Sequence, residues 1–146
     1  MGEIGLASFA PYLVNRIAAR WNTDLAEALR AYDMTTTRMR VLAVLSVSSA
    51  LTVNELSIFA VTEQSTTSRT LDALEEQGLV RRRPREGDLR VREISITEAG
   101  RDAFAAVWPM MYERFCDMFE GVDDAEYQAF VSTLHKVLGN IRKHDL

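Results

Sequence analysis

The sequence predicts a mainly α fold with one small β-hairpin set between helices. Three observations carry that expectation. Apolar residues recur at helical spacing towards both ends of the chain. Near its middle, two helix-start signals at Thr52 and Thr62 stand close enough to mark two short helices joined by a tight turn. Just beyond them, two β-type runs, LVRRRP at 79–84 and RVREISIT at 90–97, flank a connector that contains Gly87.

The elements follow in order. From about Leu6 to Tyr32, the residues Tyr12, Leu13, Ile17, Trp21, Leu25, Leu29 and Tyr32 fall on one stripe, which argues for one long amphipathic helix. A second helix starts after Thr35 and runs through Met39, Val41, Leu42 and Leu45 to Val47. In TVNELSIFA, Thr52 and Glu55 have the three-residue offset of a capping box, predicting a short helix from Val53 to about Phe59. Only Ala60 and Val61 separate it from TEQSTTSRTLDALEEQG, where Thr62 is the expected N-cap and Gly78 the residue just past the C-terminus. Two helices joined so tightly read as a helix-turn-helix. On the second, at about 63–77, Thr67, Leu71 and Leu74 share the packed face, and Ser65, Thr66, Arg69, Asp72 and Glu76 lie opposite.

The two β-type runs then form a hairpin over about 79–97, with a loop longer than two residues at REGDL. Ile94 and Ile96 alternate with Glu93 and Ser95, as in a half-buried strand. A hairpin directly after such a helix is a wing. Thr97 caps a further long helix, in which Phe104, Trp108, Met111, Phe115 and Met118 keep the four-three step of a coiled-coil seam. Pro109 predicts a bend near 105–109. Asp123 and Glu126 repeat the capping-box offset before a last helix that shows Phe130, Leu134, Val137, Leu138 and Ile141 on one face. Terminal helices this apolar, around so small a centre, point to a shared dimer core. The expected organisation is an N-terminal dimerisation helix at 1–34, a winged helix-turn-helix at 35–97 and C-terminal dimerisation helices at 98–146.

Charge suggests what the centre touches. The chain carries −4 overall, yet RRRPREGDLRVR at 81–92 sets six arginines against Glu86 and Asp88, for +4. Such a reversal of sign implies contact with a polyanion, or a strand edge protected by charge. A helix that packs its back and shows Ser-Thr-Arg near its N-terminus suits a major groove. There the positive end of the dipole meets phosphate and the side chains meet base edges. Asp72 and Glu76 would repel DNA and limit entry to the first two turns. The candidate DNA-binding residues are Gln64, Ser65, Thr66, Ser68 and Arg69 on the helix, with Arg82, Arg83, Arg85, Asp88 and Arg90 in the wing. About half of Arg81, Arg82, Arg83 and Arg85 are expected only to solvate the hairpin.

Other classes find little support. One cysteine, Cys116, forms no internal disulfide and fits a reducing compartment. Two histidines and no Cys-x-x-Cys give no expected metal site, and no cofactor motif is seen. There is no P-loop, Gly-x-Ser-x-Gly or His-Glu-x-x-His, so an enzyme is not expected. No apolar run of about 18 residues exists, and MGEIGLASFAPYL lacks the pattern of a secretion signal, so the expected location is the cytoplasm, with no membrane partner. The competing class is a winged-helix module for protein contacts, its arginines meeting an acidic partner. A redox-responsive regulator using Cys116 is a further alternative, although the thiol is expected to be buried or half-buried and inert. His135 is expected at the surface.

Four elements occur in order between Thr62 and Gly100: the polar helix start Ser65, Thr66, Ser68-Arg69; the junction Leu74…Gly78-Leu79-Val80-x-Arg82; Asp88-Leu89-Arg90; and Thr97-Glu98-Ala99-Gly100. In them the chain resembles the MarR family of bacterial transcriptional regulators. The resemblance implies a homodimer with interlocked terminal helices and a roughly palindromic operator in double-stranded DNA. It implies that Arg90 enters the minor groove, with Asp88 orienting it or the neighbouring backbone, and that a ligand relieves repression. The chain departs from the pattern at Leu89, where a polar or basic residue is often seen. The resemblance also implies a small aromatic or phenolic effector. Trp21, Met39, Trp108, Met110, Met111 and Tyr112 are candidate lining residues, with core and dimer interface as the alternative. Arg16, Arg20 and Arg40 are candidate counter-charges, with Asp24, Glu27 or Asp33 as alternative partners.

Overall fold

Short-range hydrogen bonds decide where the helices begin and end in the computed structural model, which describes residues 5–85 and 87–141, the Leu89 side chain excepted. The chain forms two compact units, Met1–Val107 and Trp108–Leu146.

In the first unit, helix α1 (Ala10–Leu29) is preceded by a 3₁₀ turn at Leu6–Ser8 and followed by another at Arg30–Tyr32. The expected single helix is therefore interrupted at Phe9, which is extended. Pro11 explains the break: it fits the first turn of α1, but has no N–H to offer the carbonyl of Ala7. Helix α2 (Thr36–Val47) starts where Thr35 Oγ1 accepts the Arg38 N–H at 3.3 Å. Helix α3 (Val53–Phe59) has the reciprocal box. Glu55 N–H donates to Thr52 Oγ1 at 3.3 Å, and Thr52 N–H donates to Glu55 Oε2 at 2.7 Å. That backbone bond, aided by the Thr52 hydroxyl, holds the Glu55 carboxyl below its ordinary range.

Helix α4 (Gln64–Glu76) begins one residue later than the sequence suggests: its N-cap is Glu63, not Thr62. The cause lies in the preceding helix. Val61 adopts φ 54, and its N–H donates to Ile58 O at 3.2 Å, while Thr62 N–H donates to Ser57 O at 3.0 Å. These two bonds are the Schellman ending of α3, with valine where glycine is usual. Thr62 is thus consumed by the end of α3, and its hydroxyl bonds Thr67 Oγ1 at 2.6 Å.

A left-handed conformation costs an L-residue about 1–2 kcal/mol, and Val61 is 78% exposed, so it has little packing to lose. Val61→Gly is therefore expected to stabilise the protein by about 1 kcal/mol after glycine's greater unfolded-state entropy is subtracted. Urea unfolding checks this; an unchanged or lower midpoint would show that the turn is not strained.

The end of α4 uses the same motif with the expected residue. Gly78, at φ 72, donates to Glu75 O at 2.9 Å, and Leu79 N–H donates to Leu74 O at 2.8 Å. The chain then enters strand β1 (Val80–Arg85), which pairs antiparallel with β2 (Asp88–Ile96). Leu51 extends the sheet by one bridge, exchanging both backbone hydrogen bonds with Ile94 at 3.0 and 2.7 Å. One core joins these pieces: Val41, Leu42 and Leu45 of α2, Leu56 and Ala60 of the α3 region, Leu71 and Leu74 of α4, and Val80, Ile94 and Ile96 of the sheet.

Thr97 closes the hairpin and opens α5 (Glu98–Met118). Its N–H donates to Leu79 O at 3.0 Å, its hydroxyl donates to Gly78 O at 2.7 Å, and Thr97 Oγ1 itself accepts the Gly100 N–H at 3.1 Å. Helix α5 continues through Pro109. In the second unit, Asp123 and Glu126 form the expected box at 2.9 and 3.1 Å ahead of α6 (Asp124–Ile141). Aromatic rings tie the end of α5 and the turn after it to α6: Phe115 and Phe119 meet Tyr127 edge-on at 5.8 and 4.9 Å, and Phe119 lies 6.3 Å from Phe130.

Candidate nucleic-acid interface

Helix α4 packs through Thr67, Leu71 and Leu74, all fully buried. That leaves Gln64, Ser65, Thr66 and Arg69 exposed and Ser68 half-buried, so the sequence-predicted polar start is one accessible surface. The wing follows at once, held to α4 through the Gly78–Leu79 ending.

The wing differs from expectation in its tip. The register runs from Val80↔Ile96 to Pro84↔Arg92 and then jumps to Arg85↔Asp88. Strand β1 runs to Arg85 and β2 starts at Asp88, with Gly87 at φ 88 just before it, so the connector is shorter than expected; Glu86 lies outside the described residues. The surplus lies inside β2, where Leu89, Arg90 and Val91 have no cross-strand partner among the described residues. Pro84 faces Arg92 at a position where, as at Arg82, the strand's nitrogen points away from β2, so proline is tolerated there; the register shifts at the next residue. Asp88 Oδ1 accepts the Arg90 backbone N–H at 3.0 Å, so this carboxylate orders the backbone beneath Arg90.

The arginines fall into two groups. Arg82 is spent on α4: its guanidinium donates to Asp72 Oδ1 at 2.7 Å, Glu75 Oε2 at 2.8 Å and Ser68 O at 3.4 Å, and its backbone N–H reaches Glu75 Oε1 at 3.0 Å. Arg85 Nε donates to Glu93 Oε1 at 2.6 Å, which holds its guanidinium above the ordinary value. Arg81 Nε donates to Ser95 Oγ at 3.0 Å. Arg69, Arg83, Arg90 and Arg92 are exposed and have no side-chain partner among the described residues. Arg92 was not marked by the sequence, which gave no reason to separate it from its neighbours.

Comparison with known proteins identifies this arrangement. A model of the MarR family matches residues 34–91. A crystal structure of a MarR-family transcriptional regulator from Silicibacter pomeroyi superposes with a TM-score of 0.93 at 45% identity, covering 100% of this chain and 99% of that one. The chain belongs to the MarR family. A second MarR-family regulator from Silicibacter pomeroyi DSS superposes at 0.88 with 32% identity, over 97% of this chain and 95% of that one. The transcriptional repressor IacR of Pseudomonas putida is 28% identical over 139 residues, covering 95% of this chain and 83% of its own. This MarR-family chain is a DNA-binding transcriptional regulator with a winged-helix fold and not an enzyme. Among its described residues, no helix is long and apolar enough to cross a membrane.

The first unit of this MarR-family chain also holds a pocket of about 530 Å³, lined by Trp21, Asn22, Arg40, Val44, Phe59 and Val61 among others. Of the residues considered for an effector, the structure brings only Trp21 and Arg40 here. Met39 is buried, and Trp108, Met110, Met111 and Tyr112 belong to the second unit. Arg20 pairs with Asp24 at 3.0 Å, and Arg16 lies over the Tyr12 ring at 5.8 Å. Arg40 instead donates to the neutral Asn22 Oδ1 at 2.5 Å. Asn22, Val44, Phe59 and Val61 carried no sequence signal for a pocket. Cys116 is exposed, against expectation. It stands one residue from Phe115, about 100° round the helix, and Phe115 takes the place facing Tyr127. His135 is exposed as read.

Proposed function

We propose that this chain is a cytoplasmic, ligand-responsive repressor that grips a roughly palindromic operator as a homodimer. The observation that carries the reading is the adjacency of two open surfaces. The polar first turns of α4 (Gln64, Ser65, Thr66, Ser68 and Arg69) stand beside a wing whose Arg83 and Arg90 spend no side-chain donor on the described residues. The helix suits base edges in a major groove, and the wing suits phosphate and the minor groove. Repression is favoured by the likeness to the repressor IacR.

Dimerisation rests on apolar surface. Leu6, Phe9, Leu13, Val14 and Ile17 are exposed near the N-terminus, and Phe130, Leu134, Val137, Leu138 and Ile141 along α6. A stripe of that length left in water marks an interface. Two-fold symmetry then sets the recognition helices about 34 Å apart, one per turn of DNA. The pocket suits a small aromatic anion, since Arg40 faces only a neutral partner beside Trp21 and Phe59. Such a ligand acts by favouring a helix arrangement with the wrong spacing.

Fluorescence-anisotropy titration tests the whole reading, using duplex DNA from upstream of the chain's own reading frame. Two chains should bind per duplex, with affinity falling at a log–log salt slope of about −0.9 per phosphate neutralised. Aromatic carboxylates should raise the midpoint. One chain per duplex would remove the dimer, and salt-insensitive binding would favour the protein-contact alternative.

A further inference from the structure

Arg82 sits in the most basic stretch of the chain, yet among the described residues each hydrogen bond of its guanidinium is made to the recognition helix. Ser68, Asp72 and Glu75 lie at i, i+4 and i+7 along α4, so the side chain runs across two of its turns. Its side chain is 22% exposed, against 64% for Asp72 and 39% for Glu75. The arginine therefore lies down along the helix, and the carboxylates stand out beyond it.

That helix needs such a neighbour. Residues 63–77 carry Glu63, Asp72, Glu75 and Glu76 against Arg69 alone, a net −3 on the element that must approach a polyanion. The acidic half begins within one turn of Arg69. Two charge-assisted bonds to Asp72 and Glu75 place a positive charge between them in a fork that lysine cannot reproduce. The Glu75 carboxylate is also bound to the Arg82 backbone N–H. The pair thus fixes the start of β1, and with it the base of the wing, against α4.

We infer that Arg82 is a positioning residue and not a phosphate contact. It neutralises Asp72 and Glu75 where the helix meets the DNA backbone and sets the angle between wing and recognition helix. Phosphate contacts then fall to Arg69, Arg83, Arg90 and Arg92, whose donors are open. The inference rests on the DNA-binding reading above, and the test separates the two.

The test is the same anisotropy titration at several salt concentrations, with full-length variants checked for folding by circular dichroism. Arg82→Ala leaves both carboxylates without their counter-charge and should weaken binding by about tenfold or more, within the range of a specific arginine. Adding Asp72→Asn and Glu75→Gln to Arg82→Ala should restore binding to within about threefold of the parent, at an unchanged salt slope. Arg83→Ala should instead lower the slope by about 0.9. Arg82→Lys keeps the charge but cannot bridge both carboxylates, and should fall between parent and alanine variant. If the triple variant binds no better than Arg82→Ala, and its slope is lower by about 0.9, Arg82 touches phosphate and the inference is overturned. If Arg82→Ala does not fold, restoration of Arg82→Lys binding to within about threefold of the parent by Asp72→Asn supports it; no gain from Asp72→Asn overturns it. A parent that binds no duplex overturns the DNA-binding reading itself, and this inference with it.

Discussion

Gly100→Ala is expected to cost about 3 kcal/mol of unfolding free energy, at the upper end for overpacking a single methyl group. A Cβ at this position would be driven into the Leu79 carbonyl oxygen and would lie 2.8 Å from Ile96 Cγ1. The first obstacle is backbone and cannot rotate away. It is also in use, because Leu79 O accepts the Thr97 N–H that closes the hairpin. Relief therefore means parting α5 from the junction of α4 and β1, next to the buried Val80 and Ile96. For a chain of this size the loss corresponds to roughly a 10 °C fall in Tm. Gly139→Ala is the internal control: it lies in α6 with nothing within 4 Å of a new Cβ, and should stabilise by about 0.5–1 kcal/mol. Equal and small effects of the two substitutions in thermal melts would show that the Gly100 contact relaxes freely.

Arg90→Ala should weaken operator binding by about 1–3 kcal/mol, roughly 5- to 150-fold, with little change in stability. Arg90 stands in the part of β2 that has no cross-strand partner, with its backbone N–H bonded to Asp88 Oδ1, and its guanidinium has no partner among the described residues. An arginine so presented meets a narrow minor groove with its donors free, where the negative potential is concentrated. Arg90→Lys should keep the salt slope while losing part of the preference for operator over a scrambled duplex, because the ammonium is larger when hydrated and lacks the planar fork. A variant that binds both duplexes as the parent does would take the wing out of recognition.

The sequence revealed what is local. Both capping boxes, the Thr35 and Thr97 caps and the Gly78 ending depend on residues within one turn, and all are present as read. The wrong N-cap at Thr62 has a reason that no nearby residue advertises. Val61 takes the left-handed position without being glycine, so the end of α3 reaches one residue further. The hairpin was legible, but not the place of its surplus residues, because a longer loop and a bulge leave the same Leu89-Arg90 stretch unpaired. The charge of the arginine cluster was also legible, whereas the division of labour within it was not. Which arginines are open depends on Asp72, Glu75 and Glu93, and those meet Arg82 and Arg85 only through the packing of α4 against β1 and the pairing of β1 with β2. The pocket was legible only in Trp21 and Arg40, since three helices contribute its walls.

The break in the β1–β2 ladder has a mechanical consequence. Strand pairs are stiff where both backbones are bonded, and the wing is bonded at its base from Val80↔Ile96 to Pro84↔Arg92 and again at Arg85↔Asp88. The slack lies between, in Leu89, Arg90 and Val91, where among the described residues the bond from the Arg90 N–H to Asp88 Oδ1 is a local tether and not a cross-strand one. A rigid stalk with a compliant segment near its tip behaves like a feeler gauge: it adjusts by small bends to the width of a gap, at little elastic cost. Docked as proposed, such a tip would register how wide the flanking DNA groove is, and remain indifferent to which bases make it so.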